Sequence, residues 1–399
     1  MFKILLLSNG HGEDLSGSLL AKQLIENGNL VEALPIVGKG IHYQKEKIRV
    51  VGKTQEFSTG GIGYNSFKGR LLEIFGGEII YFLKKLYLSY TLRKNYDFYI
   101  VVGDIVPIFF AWITKKDFFT YLVAYSSHYE GILNLPWPCK HFLVSQKAKK
   151  IYSRDLLTAN DLSQQLGKKV SFLGNPFMDK FFVKNKKSKI SPFSIGLCPG
   201  SRFPEILDNL DSILEVLETM SNLSYFAKIE FNFAIVNALS LKQIKDRLHH
   251  RKWAYLEKIS ENYVLTFKYK SIVVNFKWNS FEEILVKSNC VISMAGTATE
   301  QAIGLGKPVI QIEGNGPQFT KSFAEAQRRL LGQYVFCATN FKNKDDQINK
   351  TIDLIIKVIY LIQLNNDFLS KCNANAKERL GADNACIKIV KDLLFAIND

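Results

Sequence analysis

Residues 293–308 read SMAGTATEQAIGLGKP, a run of small residues between an apolar stretch and a helix-like stretch. The preceding residues Cys290–Met294 are short and apolar, which is typical of a buried strand. Small residues let a ligand approach the backbone, and the first turn of a helix offers unpaired N–H groups and a partial positive charge. The stretch therefore predicts an anion site, for example for a phosphate. An ordinary strand–helix connection with Thr297 or Thr299 as N-cap would explain the same residues without a ligand.

Length and composition indicate a globular protein of more than one domain. The chain has 399 residues, and 47% of them are hydrophobic while 22% are charged. A chain of this length favours two domains over a single core. The six cysteines form no C-x-x-C pair, which argues for a reducing compartment and against a zinc site. We therefore expect no metal and no cofactor.

The positive charge is concentrated in the first half of the chain. The net charge is +15, of which residues 1–190 carry +12 and residues 191–399 carry +3. This asymmetry favours an anionic partner, either a phosphorylated substrate or an anionic membrane surface, although a solvated lysine-rich surface would give the same pattern. No nucleic-acid-binding motif accompanies the charge, so we expect no nucleic-acid partner. The apolar N-terminus is too short for a signal peptide, and Phe98–Ile113 is interrupted by Asp104 and Pro107. The expected location is cytoplasmic, at the inner face of the membrane.

Strand-like and helix-like segments alternate along the whole chain, which predicts parallel sheets with crossover helices. The lysine-rich stretch VKNKKSKISP at 183–192 interrupts this alternation and indicates a linker. The predicted strands are 2–7, 97–102, 118–124, 141–145, 170–174, 193–200, 231–236, 271–276, 290–296, 308–312 and 333–338, and two helices follow the last of them. We therefore predict an α/β protein with two Rossmann-like domains that face each other across a cleft. The expected domains are 1–185 and 192–372, with a terminal helix at 373–399 that packs back on the first domain.

Polar residues follow several of the predicted strands, at the edge where ligands bind in such sheets. CPGSRFPEI at 198–206 provides a Gly-Ser turn and then Arg202, which can form bidentate bonds to a phosphate. This turn and the one at Gly296 together resemble a pyrophosphate site. In the first domain, His11 and Glu13 follow the first strand, and Asp104 ends a later one.

Three segments resemble landmarks of the lipid-A-disaccharide synthase family. LCPGSRFPEI resembles its LPGSR-x-x-E-I turn, LGNPFMDKF its G-[HN]-P-x-x-D segment, and AGTATEQAIGLGKP its S-G-T-A-T-x-E helix start. The order and spacing hold over roughly residues 1–335. The third landmark also occurs in other glycosyltransferases with two Rossmann-like domains (GT-B type) and in UDP-N-acetylglucosamine 2-epimerases.

The resemblance implies a metal-independent, inverting transfer of an acylated glucosamine from UDP to a lipid-linked sugar at the membrane. The first domain would then bind the acceptor and the membrane, and the second the UDP-sugar. By position, Arg202 matches the family's donor-phosphate arginine and Asp104 its proposed catalytic carboxylate. The residues predicted to bind the UDP-sugar are Gly200, Ser201, Arg202, Gly296, Thr297, Thr299, Glu300, Gln301 and Gln318. The predicted catalytic residues are Asp104, as the base, and His11, as the residue that orients the acceptor; Glu13 and Asp14 are placed on the acceptor side.

The sequence departs from the family pattern at two sites. NGHGED at 9–14 stands where the family has G-E-x-S-G-D, and the expected helix glutamate is Gln301, with Glu300 one residue earlier. His11 in a Gly-rich first loop is more similar to the lipid II N-acetylglucosaminyltransferase. The acceptor is therefore left open.

Two other functions fit parts of the pattern. A UDP-N-acetylglucosamine 2-epimerase shares the fold and needs several ionisable groups around the sugar, which Asp104, His11 and Glu13 could provide. A basic scaffold or lipid carrier would not need the two phosphate turns. Residues 70–94 favour transfer at a membrane because aromatic and aliphatic residues alternate there with Lys84, Lys85, Arg93 and Lys94. A core helix with lysines that extend to solvent is the alternative.

Overall fold

The structure is a computed structural model, and it describes residues 1–55, 78–184, 192–256, 264–314 and 320–398. The chain forms two compact units. The N-terminal unit contains Met1–Asp179 together with Glu378–Asp399, and the C-terminal unit contains Lys180–Lys377. The predicted linker falls largely on residues 185–191, outside the described ranges, and the domain boundaries expected at 185, 192 and 373 stay predictions.

Strands alternate with helices in both units. The strands are β1 (Lys3–Ser8), β2 (Leu30–Pro35), β3 (Arg49–Val50), β4 (Phe98–Gly103), β5 (Phe118–Leu122), β6 (Ala148–Ser153), β7 (Val170–Ser171), β8 (Ser194–Cys198), β9 (Glu230–Ile235), β10 (Ala254–Leu256), β11 (Val264–Tyr269), β12 (Ile272–Trp278), β13 (Cys290–Ser293), β14 (Val309–Gln311) and β15 (Val335–Cys337). The helices are α1 (His11–Glu26), α2 (Ile41–Lys45), α3 (Glu78–Leu92), α4 (Ile105–Ile113), α5 (Ser127–Glu130), α6 (Cys139–Val144), α7 (Leu156–Leu166), α8 (Asp179–Lys184), α9 (Glu205–Met220), α10 (Leu241–His250), α11 (Phe281–Lys287), α12 (Gly296–Gly304), α13 (Lys321–Leu331), α14 (Lys344–Leu364), α15 (Asn366–Leu380) and α16 (Ala385–Asn398).

The sheet of the N-terminal unit is parallel, with the strand order β3-β2-β1-β4-β5-β6-β7. Side chains of β1 alternate between the two faces of the sheet. Because helices cover both faces, the strand is apolar throughout. Ile4 and Leu6 pack with α1 and α16, whereas Leu5 and Leu7 pack with α4, α6 and α7. The continuous apolar run ILLL at 4–7 is therefore typical of a strand that is buried on both faces.

The C-terminal unit has the strand order β10-β11-β12-β9-β8-β13-β14-β15. The pairs from β12 to β15 are parallel, and β10 and β11 extend the sheet as antiparallel strands. Leu210, Ile213 and Leu217 of α9 pack with Ile355 and Ile359 of α14 in its core.

The strand order reverses once in each parallel region, between β1 and β4 and between β8 and β13. Connections leave such a switch point in opposite directions, which opens a crevice at the carboxyl ends of the two strands. The loops that follow these strands carry most of the residues singled out in the sequence.

The structure differs from the predicted elements in several places, and strands β2, β3, β6, β10 and β11 were not predicted. Of residues 141–145, predicted to form a strand, 141–144 belong to helix α6 and Ser145 is its C-cap. Cys139, Phe142 and Leu143 are its buried residues, and their spacing of three and four is helical. Three helices follow the last strand where two were expected, because Asn365 separates α14 from α15.

Candidate functional site

Asn9 and Asp104 meet at the switch point of the N-terminal unit. Asn9 follows β1 and Asp104 follows β4. The Asn9 side-chain amide donates to both carboxylate oxygens of Asp104, over 3.1 and 3.0 Å. Asp104 also caps α4 by accepting from the backbone N–H of Val106 over 2.9 Å. Burial raises the pKa of Asp104, and these donors oppose the rise.

Glu13 lies beside Asp104 in the first turn of α1. Its Cγ is 3.4 Å from the position that a Cβ on Gly103 would occupy. Burial raises the pKa of Glu13, and the charge of Asp104 raises it further. The structure thus brings together two of the predicted residues. The third, His11, begins α1, but its side chain lies outside the described part of the structure.

Asp14, predicted on the acceptor side, is buried, with 1% of its surface exposed. Ser8 Oγ donates to its carboxylate over 2.6 Å, and Tyr43 OH donates to Ser8 Oγ over 2.9 Å. Burial raises the pKa of Asp14 to about 7, while the hydrogen bond from Ser8 opposes the rise. We assign Asp14 to the support of α1 against β1 and not to ligand contact.

The ends of β5 and β6 bring further polar residues to the same sheet edge. Tyr125 OH accepts from the backbone N–H that opens α4, at Ile105, over 3.0 Å. Arg154 donates to the carbonyl of Val123 over 3.1 Å, and its charge lowers the pKa of Glu13. Neither residue was singled out from the sequence. Tyr125 directly follows the predicted strand 118–124, which is a usable signal, whereas Arg154 follows β6, which was not predicted.

The first turn of the C-terminal unit follows β8. Gly200 has a φ of +109°, and a Cβ there would lie 3.4 Å from the carbonyl oxygen of Met294 in the loop after β13. Ser201 and Arg202 are exposed. Arg202 forms no side-chain hydrogen bond or ion pair with the rest of the described chain, so its guanidinium is available to a ligand.

The second turn follows β13, next to β8 in the sheet. Helix α12 begins at Gly296 after Ala295, which provides no side-chain cap. Gln327 of α13 lies against this turn, with its Nε2 3.9 Å from where a Cβ on Gly296 would be. Its Oε1 is buried and accepts no hydrogen bond within the described ranges. The uncapped start of α12 therefore lies next to the buried Gln327 amide. Thr297, in the first turn of the helix, is exposed.

The remaining predicted donor residues differ in exposure. Thr299 is fully buried, and its hydroxyl lies within hydrogen-bond distance of Ser293 Oγ and Ala295 O, at 3.0 and 2.9 Å. Gln301 is 2% exposed. We assign both to the support of α12, because burial separates them from a ligand at the helix start. Glu300 is half-buried, and Gln318 lies outside the described residues.

Within the described residues, no group of three or more histidine, cysteine, aspartate and glutamate side chains is placed to hold a metal ion.

Solved structures with the same fold include glycosyltransferases and epimerases. The calicheamicin glycosyltransferase CalG4 matches with a TM-score of 0.62 at 11% identity, over 100% of this chain and 98% of its own. MurG of Acinetobacter baumannii matches with 0.57 at 12%, over 99% and 100%. The UDP-GlcNAc 2-epimerase of Neisseria meningitidis, bound to UDP-GlcNAc, matches with 0.54 at 15%, over 98% and 100%.

No protein-family model matches the chain, and no curated protein matches its sequence. The resemblance to lipid-A-disaccharide synthases therefore stays a prediction. The structural similarities, at 11 to 15% identity, show the fold. The chain has two Rossmann-like α/β units of the GT-B type.

Proposed function

We propose that the chain is an inverting glycosyltransferase that moves a sugar from UDP to a lipid-linked acceptor. The observation that carries this proposal is the pair of turns at the switch point of the C-terminal unit. Exposed Arg202 follows β8, and the uncapped start of α12 follows the neighbouring β13. An arginine and a helix start on adjacent strands suit a pyrophosphate, which carries negative charge on both phosphates.

The same groups would serve the departing UDP. Negative charge develops on the phosphate oxygen as the bond to the sugar breaks, and fixed donors stabilise it. In the proposal Arg202 supplies a charged donor, and the N–H groups of Gly296 and Thr297 supply the helix start. Gln327 adds an amide at the same turn. This donor set would perform the transfer without a metal.

The N-terminal unit would supply the base that accepts a proton from the acceptor hydroxyl. Its switch point presents two carboxylates, Asp104 and Glu13, whose pKa values are both raised by burial. A carboxylate with a raised pKa is a better general base near neutral pH.

The exposed apolar face of helix α3 is the feature that favours a lipid-linked acceptor. Ile80, Leu83, Tyr87 and Tyr90 are 60, 56, 71 and 41% exposed, and their spacing places them on one helix face. Phe82 and Leu86 pack on the core from the other side. Lys84 is exposed on α3 and Lys94 is exposed in the turn that follows it, as for a helix that lies on an anionic membrane.

Lys85 does not belong to this membrane surface, contrary to the sequence prediction. It is 3% exposed and donates to the carbonyl of Pro35 over 2.9 Å. Burial lowers its pKa to about 8. No helix among the described residues is both long and apolar enough to cross a membrane.

An epimerase acting on UDP-N-acetylglucosamine is the second candidate. The paired carboxylates favour it, because epimerisation needs ionisable groups around the sugar ring. It requires no lipid, so α3 would then have no membrane role.

Incubation with a panel of UDP-sugars, with and without lipid extract, separates the two functions. The proposal predicts UDP release that depends on lipid. Conversion of the sugar without lipid and without UDP release would instead identify an epimerase. If neither reaction is detected with any UDP-sugar, both functions are wrong.

A further inference from the structure

Gly10, after β1, leaves the space that the Glu13 carboxylate occupies, and Glu13 also lies against Gly103 at the end of β4. A Cβ on Gly10 would lie 2.5 Å from Glu13 Oε2, and a Cβ on Gly103 would lie 3.4 Å from Glu13 Cγ. Gly10 and Gly103 have φ angles of +157° and +141°, which side-chain-bearing residues rarely adopt. A side chain at position 10 would therefore displace the Glu13 carboxylate from its place beside the ends of β1 and β4.

Asp104 is engaged differently from Glu13. Its two oxygens accept from the Asn9 amide, and one of them also caps α4 through Val106. Hydrogen bonds to a charged carboxylate stabilise it and make it a weaker base. Glu13 accepts from its own backbone N–H, and no side chain of the described residues donates to it.

The charges around Glu13 act in opposite directions. Burial and the carboxylate of Asp104, at the end of β4, raise its pKa, and Arg154, at the end of β6, lowers it. Asp14 on the same helix interacts with Glu13, because the charge of Glu13 contributes to the raised pKa of Asp14. Tyr43, on α2, also responds to the charge of Glu13. The net result is a half-buried carboxylate that holds its proton more tightly than an exposed one.

We propose that Glu13 is the catalytic base and that Asp104 is a positioning residue that acts through it. This inference rests on the proposed function. The acceptor oxygen forms a bond to the anomeric carbon while the bond from that carbon to the UDP oxygen breaks. The bonding electron pair leaves with UDP, and the hydroxyl proton passes to the Glu13 carboxylate. Asp104 reinforces the basicity of Glu13 and anchors α4.

Lipid-dependent UDP release by Glu13→Gln and Asp104→Asn, measured from pH 5 to pH 9, tests this assignment. Glu13→Gln removes the base, so kcat should fall by about 10²–10⁴ while KM for the UDP-sugar is unchanged. Asp104→Asn should keep most of the turnover, because asparagine also caps a helix. It should move the acid limb of the pH profile to lower pH, since the charge that raises the pKa of Glu13 is lost. A large loss in Asp104→Asn with near-normal turnover in Glu13→Gln would overturn the assignment.

Two glycine variants test the space around the carboxylate. Gly10→Ala should displace Glu13 and lower kcat at least tenfold. Gly28→Ala is the control for backbone strain, since Gly28 has a φ of +80° and a Cβ there meets no atom within 4 Å. Equal turnover in these two variants would contradict the inference.

A readout besides turnover keeps this inference separate from the proposed function. Wild-type UDP release tests the function itself. Carbon-13 NMR of labelled glutamate carboxyls measures the effect of Asp104 on Glu13 directly. The pH midpoint of the Glu13 titration should lie above that of exposed glutamates, and it should fall in Asp104→Asn. An unchanged midpoint would contradict the role of Asp104.

Discussion

The Asn9 amide bridges both oxygens of Asp104, although the two residues are 95 positions apart in the chain. This contact joins the ends of β1 and β4 at the switch point of the sheet. It fixes the carboxylate that caps α4 and faces Glu13. Loss of this bridge should therefore affect stability in a way that depends on the charge of Asp104.

Asn9→Ala should lower the free energy of unfolding by about 1.5–3 kcal/mol at pH 8, because its amide donates to both oxygens of the Asp104 carboxylate. The loss should be smaller at pH 4, because Asp104 is protonated to a greater extent there than at pH 8 and its raised pKa favours the protonated form. Urea denaturation at both pH values measures the difference. Asn27→Ala removes an exposed amide that donates to the carbonyl of Gln23, and its effect should not change with pH. Equal losses at both pH values in Asn9→Ala would contradict the predicted charge dependence.

Asp14 should make the wild-type protein lose stability as pH rises from about 4 to 7. Its pKa is about 7 in the folded chain against an ordinary value of 3.8, so the folded state binds more protons in this range. Stability then falls as pH rises, by up to about 4 kcal/mol, and this contribution is constant above pH 7. Asp14→Asn should remove this part of the pH dependence. Thermal or urea unfolding at a series of pH values measures the stability of the wild type and of Asp14→Asn. If stability depends on pH in the same way in both proteins, the pKa of the Asp14 carboxyl is not raised.

The α3 surface should bind anionic vesicles more strongly than neutral ones, and binding should weaken as salt rises. Reversal of Lys84 and Lys94 to glutamate should lower vesicle affinity by about thirtyfold or more, since each basic residue contributes about 1 kcal/mol. The control is the pair Lys371→Glu and Lys391→Glu, which changes the net charge equally at exposed positions of α15 and α16. Vesicle sedimentation compares the two. Equal loss in both pairs would mean that total charge, and not this surface, sets the affinity.

The alternation of apolar strands and amphipathic helices in the sequence predicts two Rossmann-like α/β domains. The turns after β8 and β13 are also recognisable, because Gly200, Arg202 and Gly296 are local signals. The fold determines which turns become neighbours, and the strand order brings these two together.

Sequence alone could not separate residues that differ only in the direction of their side chains. Lys84 is exposed and Lys85 is buried, since adjacent helix positions point about 100° apart. The rotation of α12 likewise exposes Thr297 and buries Thr299. The contact between Asn9 and Asp104 depends on strand order, which no local pattern encodes. The helix at 139–144 was missed because its three buried residues span little more than one turn.

Calorimetric titration of the full chain with UDP tests the central claim most directly, since it requires no acceptor. The account predicts one site in the wild-type chain and a ten- to hundredfold weaker affinity in Arg202→Ala, because a charged hydrogen bond contributes about 1.5–3 kcal/mol. Lys228→Ala, which removes an exposed charge before β9 at the opposite sheet edge, should bind UDP as the wild type does. No UDP binding by the wild type, or equal affinity in wild type and Arg202→Ala, would contradict a UDP-sugar site at this switch point.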